Sequence, residues 1–233
     1  MTKKIDKLKS FEKIIAYDFK DKDLLNQIFV HRSYLNENPS FKFEHNERLE
    51  FLGDAVLELV VTEYLYKKYN NPEGELTNWR SALVRGQMLS KIAEELEIND
   101  RLLLSKGESQ STGKARQIIL ANTFEALIGA IYLDGGYNEA KKLIDKKLII
   151  HLEEILKNEL FKDNKSKLQE ISQEINSATP VYKTISESGP DHNKLFNIGV
   201  YVNDKLLGEG IGHSKQEAEQ NAALKALTKI DQL

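Results

Sequence analysis

From Phe43 to about Tyr69 the apolar positions Leu49, Leu52, Val56, Leu59, Val60 and Tyr64 recur at steps of three and four, the spacing of one helix face. The turn residues of "NNPEGEL" (Asn70 to Leu76) predict the end of that helix. Leu76 to Glu97 resumes the period, and "GESQSTGKA" (Gly107 to Ala115) reads as a loop. Ile118 to Leu133 is apolar nearly all round, which predicts a buried helix, and the glycines of "DGG" (Asp134 to Gly136) close it. "YNEAKKLIDKKLIIHLEEIL" predicts one more amphipathic helix.

The pattern changes after the polar stretch Lys157 to Lys167. Lys165 to Ile175 reads as a helix. "TPVYKTISESG", "KLFNIGVYVND" and "KLLGEGIG" read as strands, with β-branched and aromatic residues in partial alternation. Ser214 to Ile230 is a strongly periodic closing helix. The predicted architecture is an all-α domain over 1–157, a linker over 158–164 and a small α+β domain of order α-β-β-β-α over 165–233.

Composition narrows the chemistry. The chain of 233 residues is 40% hydrophobic and 30% charged, as in an ordinary globular protein. It has no cysteine, which excludes disulfides, thiolate zinc sites and cysteine nucleophiles. "MTKKIDKLKS" has no apolar run behind it, and the apolar stretch around "LIGAIYL" reads as too short to span a bilayer, so a cytoplasmic protein without membrane contact is expected. Net charge is -3, and from Asp163 onward 8 lysines face 10 acids. A polyanionic partner would therefore have to be held by local clusters. The glycines of "GEGIGH" lack a βαβ setting, so no dinucleotide or other small-molecule cofactor is expected.

Within "NERLEFLGDAVL", Glu47, Glu50 and Asp54 share one helix face at i, i+3 and i+7. A solvated acidic face is the simple reading. Against it, Gly53 sits mid-helix, where glycine costs about 1 kcal/mol relative to alanine, so another backbone is expected to approach there. Glu125 lies inside the apolar helix, where an unpaired carboxylate must protonate, pair or bind a metal. Asn122 is one turn earlier on the same face. Glu50, Asp54, Asn122 and Glu125 would together form an all-oxygen set suited to Mg²⁺ or Mn²⁺ and to phosphodiester hydrolysis.

These residues resemble a known family. "HNERLEFLGDAVL", together with "FVHRSYLNE", "PEGELTNWRSALV" and "ILANTFEALIGAIYLDGG" in that order, is similar to bacterial ribonuclease III. "KSKLQEISQE", "GPDHNKLFNIGVYV" and "GEGIGHSKQEAEQNAALKAL" resemble a double-stranded-RNA-binding domain. The resemblance implies Mg²⁺ ligands at Glu50, Asp54, Asn122 and Glu125, with Mn²⁺ as a substitute and Asp54 and Glu125 as the catalytic pair. It places Glu47 and Glu73 at the edge of the cleavage site and Phe51 in a homodimer contact. The implied reaction cuts both strands of an RNA duplex, leaving 5′-phosphate and 3′-hydroxyl ends with short 3′ overhangs, in processing of ribosomal and messenger RNA. One departure stands out: the family carries aspartate where this chain has Asn122. A duplex-RNA-binding protein with cleavage impaired by Asn122 is the alternative.

For the RNA-binding domain the resemblance points to Ser166, Gln169, Glu170 and Gln173 on the first helix, and to His192 in the hairpin loop. It adds Ser214 and Lys215 at the start of the last helix, where free N–H groups favour phosphate. Solvated helix residues are the plain alternative for Gln169 and Gln173. Gln216 stands where the family often has a second base.

Overall fold

A computed structural model describes residues 2–157, 164–190 and 194–230. The chain divides into two units, Met1–Phe161 and Lys162–Leu233, each with its own core.

Unit 1 is helical: α1 (Thr2–Ile15), α2 (Lys22–Gln27), α3 (Arg32–Glu37), α4 (Glu47–Lys68), α5 (Glu73–Leu83), α6 (Gly86–Glu95), α7 (Lys106–Ser109), α8 (Gly113–Gly135), α9 (Tyr137–Lys147) and α10 (Leu152–Lys157). The apolar stripe of α4 supplies Leu49, Val56, Leu57 and Val60 to the core. They join Phe124, Leu127, Ile128 and Ile131 of α8 and Leu89 and Ile92 of α6. Each such side chain, once fully buried, contributes roughly 1.5–3 kcal/mol.

Helix α8 is long and apolar enough to cross a membrane by length and composition, contrary to the expectation that its apolar stretch is too short. Most of its apolar window is buried against the surrounding helices, which is how a core helix of this composition is satisfied. Its end is fixed by Asp134, whose carboxylate accepts from the Tyr17 hydroxyl (2.6 Å) and from the backbone N–H groups of Lys20 (3.0 Å) and Asp21 (2.8 Å). Gly136 follows at φ +81°, a left-handed cap that glycine adopts without strain.

Three predicted boundaries shift. The stretch expected as one helix over 76–97 is two, because Arg85 turns extended between α5 and α6. That turn lets α5 lie against α4 and α6 against α8, which one straight helix could not do. The 107–115 loop holds the single turn α7, capped by the Ser105 hydroxyl accepting from Glu108 N–H (3.1 Å), and α8 begins at Gly113. The last predicted helix breaks into α9 and α10 around a 3₁₀ turn at Ile149–His151. Tightening there keeps Leu143 and Ile144 before the turn and Leu152 and Ile155 after it in the core.

Unit 2 follows the order α11 (Asn164–Asn176), β1 (Val181–Ser188), β2 (Leu195–Val202), β3 (Lys205–Gly212) and α12 (Lys215–Ile230). The strands form an antiparallel sheet of order β1-β2-β3. Asn203 and Asp204, both at positive φ, make the two-residue β2–β3 turn, the conformation whose twist suits a hairpin. The "GEGIG" glycines have a packing role: a methyl group at Gly208 or Gly210 would collide with the backbone of α12 around Ala218, Ala222 and Ala226. Buried alanines on α12 and glycines on β3 let helix and strand meet almost backbone to backbone.

Candidate active site

The acidic residues of α4 and α8 are brought together by two glycines. A methyl group added at Gly53 would overlap the carbonyl oxygen of Glu125 and lie 2.9 Å from the Gly129 nitrogen. One added at Gly129 would overlap the carbonyl oxygen of Leu49. The helices therefore cross at the turns that carry the acids. The start of α4 is anchored by buried Asn46, whose side-chain amide donates to the Ile28 carbonyl (2.9 Å) and whose backbone N–H donates to Val30 (2.9 Å).

Glu125 is the most perturbed acid of the set. Burial, then the nearby charges of Asp54 and Glu50, push its carboxyl up to about 7. Glu50 is raised too, first by burial and then by Glu47, with Asp54 adding to the effect. A hydrogen bond from the Asn122 amide to the Glu50 carboxylate pulls the other way. An ionised carboxylate only accepts, so Asn122 must offer its N–H to Glu50, leaving its own oxygen available. Four of the predicted residues, Glu50, Asp54, Asn122 and Glu125, thus share one electrostatic environment.

That environment suits a hard cation: an all-oxygen donor set and, among the described residues, no base that offsets the burial and the neighbouring carboxylates raising Glu125. The acids nevertheless stand apart. Among the described residues no group of three His, Asp or Glu side chains lies within reach of one ion. Burial is the first cause that raises Glu50 and Glu125, and the neighbouring carboxylates add to it.

Glu47 lies beside this set in the first turn of α4, in a setting the sequence did not show: Arg32 approaches it at 3.3 Å and His45 at 3.7 Å. Glu73 is elsewhere. It begins α5, beyond the C-terminal end of α4, where the Thr77 hydroxyl donates to it (3.1 Å) and it lines a groove with Tyr66, Tyr69, Leu76 and Arg80. The helix from Glu50 to Lys68 spans roughly 27 Å at 1.5 Å per residue, so one chain does not bring Glu73 to its own Glu50. Phe51 points outward, 82% exposed, in line with exposed Leu59 and Tyr66 on α4.

In unit 2, Ser166, Gln169, Glu170 and Gln173 lie on the exposed face of α11, opposite buried Leu168 and Ser172. Ser214 caps α12, its hydroxyl accepting from Glu217 N–H (3.2 Å). Glu217 in return accepts from His213 N–H (2.8 Å). Lys215 and Gln216 are exposed at the helix start, and His192 lies outside the described residues.

Comparison with known proteins identifies the family. A ribonuclease-III-like family model matches residues 21–152, and a double-stranded RNA binding motif matches residues 164–230. Ribonuclease 3 of Protochlamydia amoebophila is 46% identical, over 95% of this chain and 91% of that one. Ribonuclease 3 of Leptospira interrogans is 44% identical, over 97% of this chain and 92% of that one. A solved nuclease domain of ribonuclease III from Campylobacter jejuni, described as flexible in a region involved in dimer formation, superposes with a TM-score of 0.53 at 44% identity, covering 59% of this chain and 95% of that one. With the acids of α4 and α8 at a shared crossing and a second unit of α-β-β-β-α order, the chain belongs to the ribonuclease III family of endoribonucleases.

Proposed function

We propose that the chain hydrolyses both strands of double-stranded RNA with Mg²⁺, leaving 5′-phosphate and 3′-hydroxyl ends with short 3′ overhangs. The observation that carries this reading is the half-buried Glu125 carboxyl at the α4–α8 crossing, raised first by desolvation and then by Asp54 and Glu50. Glu50, Asp54, Glu125 and the oxygen of Asn122 would hold the cation, which when bound supplies charge neutralisation of the phosphate and activation of water. Mn²⁺ is a chemically equivalent occupant. Glu47, held by Arg32, supports the site from the start of α4.

The working unit in this reading is a homodimer. Phe51, Leu59 and Tyr66 form an exposed apolar line along α4. Antiparallel pairing of two α4 helices about Leu59 sets Phe51 opposite the partner's groove of Tyr66, Tyr69 and Leu76. The same pairing carries Glu73 toward the partner's acids, which gives this distant residue a place at the edge of a composite site. Residues 1–157 would be the catalytic domain, 158–164 the linker and 165–233 the RNA-binding domain. There Ser166, Gln169, Glu170, Gln173 and His192 would read two minor grooves, with Ser214 and Lys215 on phosphate. Structured ribosomal and messenger RNA precursors in the cytoplasm are the substrates this implies.

Asn122 keeps the alternative of duplex binding with impaired cleavage in view, because its hydrogen bond to Glu50 eases the charge that a cation would otherwise neutralise. Mapping the ends of products from a long RNA duplex tests the proposal. Paired cuts with 5′-phosphate ends and 3′ overhangs are expected; an uncut but bound duplex would favour the alternative.

A further inference from the structure

Glu187 is the last residue but one of β1, in an exposed position, yet its carboxylate is shared between two lysines. Lys194 approaches one oxygen at 2.7 Å and Lys215 the other at 3.5 Å. Both ammonium groups also lie 5.7 Å from the ring of Phe196, the cross-strand partner of Glu187. Lys194 comes first among the causes that hold the Glu187 carboxyl below its usual value, so the acid stays ionised at neutral pH. The nearby acid Glu217 is differently employed, accepting from the His213 backbone N–H in the cap of α12. Glu187 caps nothing: among the described residues its carboxylate partners are these two lysines.

We propose that Glu187 is an intramolecular competitor of RNA phosphate, an anionic brake that sets the affinity of the second unit for duplex RNA through Lys215 and Lys194. The inference rests on the reading of Lys215 as a phosphate contact. A phosphate approaching Lys215 meets a carboxylate already on that ammonium. It must displace the carboxylate or bind against its repulsion. The two lysines and one acid carry a single net positive charge, and neutral Gln216 beside them adds none. One carboxylate thus cancels half of the local attraction on a unit with little positive charge to spare. Because exposed ion pairs are weak and screened by salt, the brake is expected to weaken binding by no more than about two- to fivefold.

The test is binding of the full chain, in EDTA, to an RNA duplex of roughly 20 base pairs, longer than the ~16 such a domain spans, across a range of salt. Five proteins are compared: the unaltered chain, Glu187→Gln, Glu187→Thr, Lys215→Ala and the double variant Glu187→Gln with Lys215→Ala. Lys215→Ala should weaken binding. Glu187→Gln should tighten it about two- to fivefold and steepen the salt dependence by up to about one phosphate contact, a gain largely lost in the double variant. Glu187→Thr, which suits a strand, should act in the same direction, and thermal melting of each variant checks the fold. If Lys215→Ala weakens binding while both Glu187 variants bind as before or more weakly, the brake is refuted. If Lys215→Ala leaves binding unchanged, the phosphate contact itself is refuted and the brake with it.

Discussion

The α-carbon of Gly53 lies against the main-chain carbonyl of Glu125, and this contact sets the separation of the two acidic helices. A single methyl group has nowhere to go, because the obstructing atoms are backbone. Gly53→Ala should therefore destabilise unit 1 despite the ~1 kcal/mol by which alanine favours a helix interior. Overpacking of this kind costs typically 1–3 kcal/mol, and a backbone neighbour puts the net loss at about 1–2 kcal/mol. Cleavage should fall further than stability, since Glu50 and Asp54 move with α4. Denaturant unfolding beside single-turnover cleavage checks both; a variant as stable and active as the parent would contradict the crossing's role.

Glu125 carries a pH signature. Its carboxyl is raised by burial, Asp54 and Glu50 to about 7, above the ordinary 4.5. The folded state then holds the proton more tightly than the unfolded chain. The stabilisation is complete below about pH 4.5 and is lost as pH rises through 7. Without divalent cations, Glu125→Gln should remove this decline and be the more stable protein at pH 8, by ~1–2 kcal/mol once solvent screening is allowed for. Unfolding in EDTA from pH 4 to 8 measures it. Parallel stability curves for the two proteins would argue against a strained carboxyl.

Phe51 tests the assembly. An aromatic side chain 82% exposed on a helix contributes little to a monomer's fold. Phe51→Ala should leave the melting of isolated subunits nearly unchanged and weaken self-association by roughly 2–4 kcal/mol, the range of an interface anchor. Sedimentation across concentration reads this directly. Duplex cleavage should fall in step with dimer content.

Much of this was legible in the sequence, and the limits have physical causes. The mid-helix Gly53 announced a close approach because glycine is costly there, and Glu125 announced a site because its neighbours are apolar. Gly129 is the other half of the crossing, and its sequence signal is a glycine four residues after an acid inside an apolar helix. The break at Arg85 was hidden because the apolar period continues across it. Glu73 could not be placed, since within one chain it lies beyond the far end of α4 and the proposed composite site needs a second copy. The pairing of Glu187 with Lys194 and Lys215 is set by strand register, which periodicity does not specify.

Asn122 should set the metal requirement. Asn122→Asp replaces a donor to Glu50 with a fourth carboxylate, raising repulsion in the free site and attraction for a cation. The half-saturating Mg²⁺ concentration for cleavage should fall by roughly three- to tenfold. An unchanged concentration would show that this position does not face the ion.

The central claim is that the acids at the α4–α8 crossing cut duplex RNA with a divalent cation. The most direct measurement is cleavage of a long RNA duplex by the full chain with Mg²⁺ and with EDTA, beside Glu125→Gln under the same conditions. The account predicts cleavage by the unaltered chain with Mg²⁺, none in EDTA, and loss of cleavage in Glu125→Gln while the duplex is still bound. Cleavage that persists in EDTA, or full activity in Glu125→Gln, would contradict it.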